Sequence, residues 1–282
     1  MTPARLSAFL ADHADIMRVE LTRVRGSSPR EQGAFMLVAP DAMIGTIGGG
    51  QLEYMAIDHA RRLLRSGEAS AQMDVPLGPE IGQCCGGRVE IALSWMDGAA
   101  RSQVVQVSDA EREMLPQVFI LGAGHVGRAL ADQFQHLPVR PLLIDERAEE
   151  LGHVTAGVET RHTALPEAEI RNAPAGSAFI VLTHDHALDF LLTSEALARN
   201  DAAYVGMIGS ATKRASFSSY CRRHCDGVET DALICPIGAS GSRDKRPSVI
   251  AATVVAEVIT ALTSETAAHA PERGKAPIAS EM

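Results

Sequence analysis

The chain has 282 residues, 46% of them hydrophobic, and 26 Lys and Arg against 35 Asp and Glu give a formal charge of −9. That length is enough for two domains, each burying its own core. Scattered acids and the lack of a basic stripe argue against nucleic acid as a partner, and the longest apolar stretch, 250–262, is broken by Glu257, which argues against a membrane span.

In chain order, residues 3–13 predict a short helix, and Met17, Val19 and Leu21 alternate with Arg18, Glu20 and Thr22 as in a strand with one wet face. Gly26-Ser27-Ser28-Pro29-Arg30 is a turn cluster, and an apolar strand at 34–38 follows it. Ile44-Gly45-Thr46-Ile47 runs as a strand into Gly48, Gly49 and Gly50. The helix after it carries Leu52, Met55, Ala56, His59, Ala60 and Leu63 on one face, with Gly67 at its expected stop. Val89, Ile91, Leu93 and Trp95 alternate just after Cys84-Cys85-Gly86-Gly87. From Asp97 to about Pro116 the pattern dissolves into small and charged residues. An N-terminal mixed α/β domain over 1–98 and a linker over 99–116 are the expectation.

The second domain, 117–265, opens with Val118-Phe119-Ile120-Leu121, a buried strand running into Gly122-Ala123-Gly124-His125-Val126-Gly127. Val126, Leu130, Phe134 and Leu137 then recur at helical spacing, and Leu142-Leu143-Ile144 ends in Asp145. Strands at 178–182 and 203–208, each followed by a helical stretch, imply a Rossmann-like parallel sheet. Pro247 starts a last helix to Leu262, and 266–282 reads as a disordered tail.

The glycine turn has a specific physical reading. Gly122 permits the reversal, Gly124 lets backbone approach a pyrophosphate, Gly127 lets helix and strand pack closely, and Asp145 stands where a ribose acceptor belongs, favouring NAD-like over NADP-like nucleotides. Gly48, Gly49 and Gly50, directly before a helix, are a second place for amides to grip an anion, with Ser27, Ser28 and Arg30 as further contacts if the loops converge. A plain tight turn is the alternative there. Cys84 and Cys85, followed by glycines, suit a soft metal or a sulfur-bearing ligand, or, as alternation at a strand entrance would give, one thiol in the core and one in solvent. Thr183-His184-Asp185-His186, with Asp189, lies at the carboxyl end of a predicted strand and suits a metal, a proton shuttle or a helix cap. Lys213 and Arg214, near the helix start after Gly209-Ser210, suit a phosphate or plain surface charge. Cys221, His224 and Cys225 share a helical face, as zinc ligands or core. Five cysteines, an odd number, make no disulfide framework, and Met1 to Leu10 lacks the apolar core of a secretory signal, so a reducing, cytoplasmic location is expected.

Taken together, Gly26 to Arg30, Gly45-Thr46-Ile47-Gly48-Gly49-Gly50-Gln51-Leu52-Glu53, Cys84-Cys85-Gly86-Gly87, the Gly122 turn, Thr183 to Asp189 and Ile208-Gly209-Ser210 resemble the xanthine dehydrogenase accessory family, XdhC/CoxI. The resemblance implies a maturation factor, not an enzyme. It would bind molybdenum cofactor (molybdopterin), protect it while a cysteine desulfurase helps sulfurate it, and deliver it to apo-xanthine dehydrogenase. It further implies that Cys84 or Cys85 approaches the dithiolene or molybdenum, that Gly48 to Gly50 hold the pterin phosphate, and that the C-terminal half is a Rossmann domain open to NAD or another nucleotide. The chain departs from the family pattern after Pro236-Ile237-Gly238, where charged Arg243-Asp244-Lys245-Arg246 replaces a glycine-rich lead. Two rivals remain. One is an NAD-dependent oxidoreductase with His184 or His186 as general acid or base; the other is a structural adaptor. A symmetric homodimer is the default oligomer.

Overall fold

The computed structural model describes residues 3–79, 82, 86–225, 227–239, 242 and 244–268. It divides into two compact units, Met1–Met114 and Leu115–Met282.

The first unit runs α1 (Pro3–Asp12), β1 (Met17–Arg25), β2 (Phe35–Val38), β3 (Met43–Gly45), α2 (Gly50–Ser66), β4 (Ser70–Pro76), β5 (Arg88–Trp95) and α3 (Gly98–Glu113). Its five strands form one antiparallel sheet in the order β3-β2-β1-β5-β4. The period of two along each strand sorts its side chains between two cores. Met17, Val19 and Leu21, with Met36 and Val38, pack under α2 residues Leu52, Ala56, Ala60 and Leu63. Leu37, between Met36 and Val38, points the other way, onto Leu6 of α1 and Val104 of α3. Gly67 ends α2 in a left-handed conformation and donates its N–H to Leu63 O, the stop its position in the sequence suggests.

The stretch expected as a linker is mostly α3, and it belongs to the first unit's packing. Asp97 caps it by accepting from Ala100 N at 2.8 Å. Val104 is its one fully buried side chain, so its apolar stripe is too thin to show as periodicity. Arg101 holds it in place. Its guanidinium donates to Leu10 O (2.9 Å) and His13 O (3.0 Å), to Ala14 O, and to Met96 O (3.3 Å). It thereby satisfies a carbonyl that the end of α1 leaves without an intrahelical partner.

The second unit runs β6 (Gln117–Leu121), α4 (His125–Phe134), β7 (Arg140–Asp145), α5 (Ala148–Gly152), β8 (Glu159–His162), α6 (Pro166–Arg171), β9 (Ala178–Val181), α7 (His186–Ala198), β10 (Tyr204–Met207), α8 (Ala211–His224), β11 (Leu233–Ile234) and α9 (Pro247–Ala268). All its strand pairs are parallel, in the order β11-β10-β9-β6-β7-β8. Counted within the unit from the β8 edge, this is 3-2-1-4-5-6, the doubly wound dinucleotide-binding order, whose crevice opens between β6 and β9. Both faces are covered, as a parallel sheet requires. Phe119 and Leu121 pack with Leu192 of α7 and Phe217 of α8. Val118 and Ile120 pack on the opposite side with Leu130 of α4 and Val254 of α9. Helix α9 continues to Ala268, into the stretch expected as a tail, and 269–282 lie outside the described residues. Among the described residues no helix is long and apolar enough to cross a membrane.

Replacing Arg101 with Ala is expected to lower the stability of the first unit by about 1 kcal/mol, since it leaves part-buried carbonyls without their donor. Urea unfolding followed by Trp95, the single tryptophan and a β5 residue, measures it. An unchanged midpoint would show that α3 is not held by this side chain.

Candidate functional site

Three glycine-bearing segments, distant in sequence, meet in the first unit. A Cβ on Gly48 would lie 2.7 Å from Pro29 Cγ and 3.6 Å from Arg30 Cγ, so the triple-glycine loop is pressed against the Gly26–Arg30 turn. Gly48 has φ +132°, which other residues rarely adopt, so glycine is required there twice over. On its other side the same turn meets the lead-in to β5. Ser27 bridges Gly86, and a Cβ on Gly87 would fall 2.1 Å from Ser27 O. Cys84 and Cys85, next in sequence to Gly86, lie outside the described residues. Gly49 and Gly86 both face open space.

The amides of the triple-glycine loop are already engaged. Ile47 N and Gly49 N each donate to Glu53 Oε2 at 3.1 Å, and Gly48 N donates to Thr46 Oγ1 at 3.1 Å. Thr46 Oγ1 in turn donates to the same Glu53 oxygen at 2.6 Å. Glu53, in the first turn of α2, therefore stands where an anion held by the Ile47 and Gly49 amides would stand. Sequence reasoning gave Glu53 no role beyond its place in the motif. The signal lay in its spacing, a carboxylate four residues after a glycine that precedes a helix. Among the described residues Ser28 Oγ, itself buried, has no hydrogen-bond partner.

In the second unit the glycine turn is built as its spacing suggests. A Cβ on Gly122, whose φ is +129°, would sit 2.4 Å from Leu182 O, and one on Gly127 would sit 1.9 Å from Gly122 O. Gly124 faces open space and caps α4 with no side-chain bond. Asp145, at the end of β7, is buried, and its carboxylate takes four donors: Ala123 N at 2.7 Å, Arg147 N at 2.9 Å, and Arg147 Nε and Nη2 at 3.0 Å each. A carboxylate offers about four acceptor positions, so a ribose reaches it only where Arg147 leaves it or shares a position. Arg128 completes the frame by donating to Ala123 O at 2.7 Å and Glu150 Oε2 at 2.6 Å. Glu150 also pairs with Arg147 at 3.6 Å. Burial pushes the Asp145 carboxyl up, but the Arg147 side chain and the N–H groups of Ala123 and Arg147 together outweigh it and hold the group below its usual range.

The cleft at the carboxyl ends of these strands is lined by Gly122, Asp145, Glu146, Pro166, Thr183 and His184. His184 is half exposed, with Nε2 3.8 Å from Glu146 Oε1. Its neighbour Asp185 is the cap of α7, accepting from Ala187 N at 2.6 Å and Leu188 N at 2.9 Å, and those N–H groups hold its carboxyl below the ordinary value. Among the described residues no three His, Cys, Asp or Glu gather as metal ligands. Lys213 is spent internally. Its ammonium pairs with buried Asp189 and donates to Ile208 O at 2.9 Å, while Asp189 Oδ1 accepts from Thr183 N and Oγ1, both at 2.8 Å. Cys221 lies in the core, where burial first and Cys225 second push its thiol up to about 12.

Residues 118–258 match the XdhC Rossmann domain, and residues 9–75 match the XdhC and CoxI family. The chain belongs to the XdhC and CoxI family. It is 25% identical over 248 residues to the uncharacterized protein YqeB of Escherichia coli K12, covering 83% of this chain and 41% of that protein. It thus spans well under half of that relative's length. A solved structure from Bacillus halodurans, described as a xanthine dehydrogenase, aligns with a TM-score of 0.75 at 18% identity, covering 96% of this chain and 98% of the other. That likeness bears on the fold.

Because the Asp145 carboxyl is depressed in the folded state, its contribution is full above its unfolded value of about 3.9 and is lost as pH falls through the lower folded value. Asp145→Asn is therefore expected to destabilise the protein near neutrality, with the gap to the parent closing between about pH 5 and pH 2. Calorimetric unfolding across that range checks it. A gap independent of pH would mean that the carboxylate is not held by charge.

Proposed function

We propose that this protein binds molybdenum cofactor in its first unit, holds it while a cysteine desulfurase supports its sulfuration, and hands it to xanthine dehydrogenase in the cytoplasm. Membership in the XdhC and CoxI family supports a role in xanthine dehydrogenase maturation. The observation that carries the cargo assignment is the meeting of the Gly26–Arg30 turn with both the triple-glycine loop and the Gly86-Gly87 lead-in to the cysteine pair. When bound, the cofactor brings a dithiolene-held molybdenum and a phosphorylated pterin. Thiolates at Cys84 or Cys85 are soft donors suited to the former. The open faces at Gly49 and Gly86 leave backbone accessible without a Cβ in the way. The chain's work in this reading is to bind, shield and release, with no turnover of its own.

A nucleotide in the second unit, NAD or a relative, is a separate proposal supported by the strand order and the Gly122, Gly124 and Gly127 turn. It requires Arg147 to leave Asp145 or to share it. Asp145 as ribose acceptor favours a nucleotide without a 2′-phosphate, while Arg147, once released from it, would favour one with it.

Protein purified without oxygen from molybdate-fed cells is expected to carry pterin, released as a fluorescent derivative on acid oxidation. Cys85→Ala should lower that retention severalfold and Cys221→Ala should leave it unchanged, since the Cys221 thiol is buried and protonated. Recovery of NAD with no pterin at any loading would replace the cargo reading with that of a dehydrogenase.

A further inference from the structure

We propose that Arg147 sets the nucleotide choice of the second unit, in favour of an adenine dinucleotide that carries a 2′-phosphate on its ribose. The inference rests on the reading of that unit as a nucleotide site. It decides between the opposite preferences that Asp145 and Arg147 give separately.

An acid at the end of the second strand of such a sheet selects a plain ribose when its oxygens are open to the diol. Here they are engaged. Asp145 Oδ1 accepts from Arg147 N at 2.9 Å and Arg147 Nε at 3.0 Å, and Oδ2 accepts from Ala123 N at 2.7 Å and Arg147 Nη2 at 3.0 Å. The two side-chain bonds form the parallel fork that gives guanidinium and carboxylate both strength and a fixed geometry. The Asp145 side chain is 4% exposed and that of Arg147 is 34% exposed. The acid therefore lies behind, and a ligand entering the cleft meets the guanidinium first.

The two nucleotides differ in what Arg147 receives in exchange for Asp145. A ribose diol takes over the carboxylate with two hydroxyls, but the ion pair is lost and the fork is left without an anion. Glu150 is a poor substitute. Its Oε1 lies 3.6 Å from Arg147 Nη1, and its Oε2 is already bound to Arg128 at 2.6 Å. A 2′-phosphate offers the guanidinium a second anion with the same two-pronged fit, so the fork passes from carboxylate to phosphate and Asp145 is freed for the 3′-hydroxyl. The other acids beside the cleft do not forbid that phosphate, because they too are engaged: Glu150 by Arg128, and Glu146 by His184 at 3.8 Å.

The test titrates the full chain by calorimetry with NADP+ and NAD+, two probes that differ only in the 2′-phosphate. The parent is expected to bind NADP+ at least about tenfold more tightly, the discrimination of one hydrogen-bonded charge pair. Arg147→Gln should weaken NADP+ by about tenfold or more and leave NAD+ unchanged or tighter, since Asp145 is then open to the diol. Arg147→Lys keeps a cation beside the buried carboxylate but lacks the fork, so its preference should fall between those of the parent and Arg147→Gln. It also keeps the comparison available should the neutral variant fail to fold. Equal or tighter binding of NAD+ by the parent, or a ratio of the two affinities unaltered by the substitutions, would overturn the inference and leave the nucleotide reading standing. NAD+ binding that emerges only in Arg147→Gln would likewise overturn the 2′-phosphate choice and make Arg147 a block on the site. Binding of neither probe by parent or variants would remove the nucleotide reading and the inference with it.

Discussion

A carboxylate stands beside each of the two glycine turns and accepts from its backbone amides. Turns that run through left-handed backbone leave consecutive N–H groups on one side, and buried amides must find acceptors. In the first unit Glu53 supplies them from the helix that the turn introduces. In the second, Asp145 supplies the Ala123 amide from the neighbouring strand. Both turns are thus held in shape from within.

What each turn then shows to its surroundings differs. Around the first, Gly49 has open space beside it and Ser28 Oγ is buried without a partner among the described residues. The second presents the Arg147 guanidinium, fixed by Asp145 and Glu150, and a half-exposed His184 across the cleft. Each turn sits on a sheet that buries its own core. The two sheets gather their loops differently. A parallel sheet collects its loops at one edge by construction, whereas the antiparallel one had to bring a turn, a glycine loop and a strand lead-in together by close packing.

Much of this architecture was legible in the residues. Alternation at Met17, Val19 and Leu21, the one-sided helix before Gly67, and the strand and glycine turn from Val118 to Gly127 all carry strong apolar periods. Elements with thin apolar signals were harder. Helix α3 buries Val104 alone, and its anchor is an arginine bound to carbonyls, which leaves no mark in a hydropathy pattern. The edge strands β4 and β8 are mostly exposed, as Glu159-Thr160-Arg161-His162 shows. At the sites, glycines announced themselves because only they fit. Glu53, Arg128, Arg147 and Glu150 did not, since an acid or a base in or beside a helix has many possible partners and only the fold selects one. Cys84 and Cys85, the clearest chemical signal in the sequence, lie outside the described residues.

The internal pairing of Lys213 with Asp189 carries a consequence for how this chain can diverge over time. Gly209 makes room for the lysine stem, a Cβ there falling 2.7 Å from Lys213 Cδ, and Thr183 occupies the other carboxylate oxygen of Asp189. A single replacement at 189 or 213 passes through a form with a lone charge sealed from water, which costs about 3 to 5 kcal/mol. Positions 183, 189, 209 and 213 are therefore epistatically bound, and among descendants of this sequence they should drift as a set or not at all.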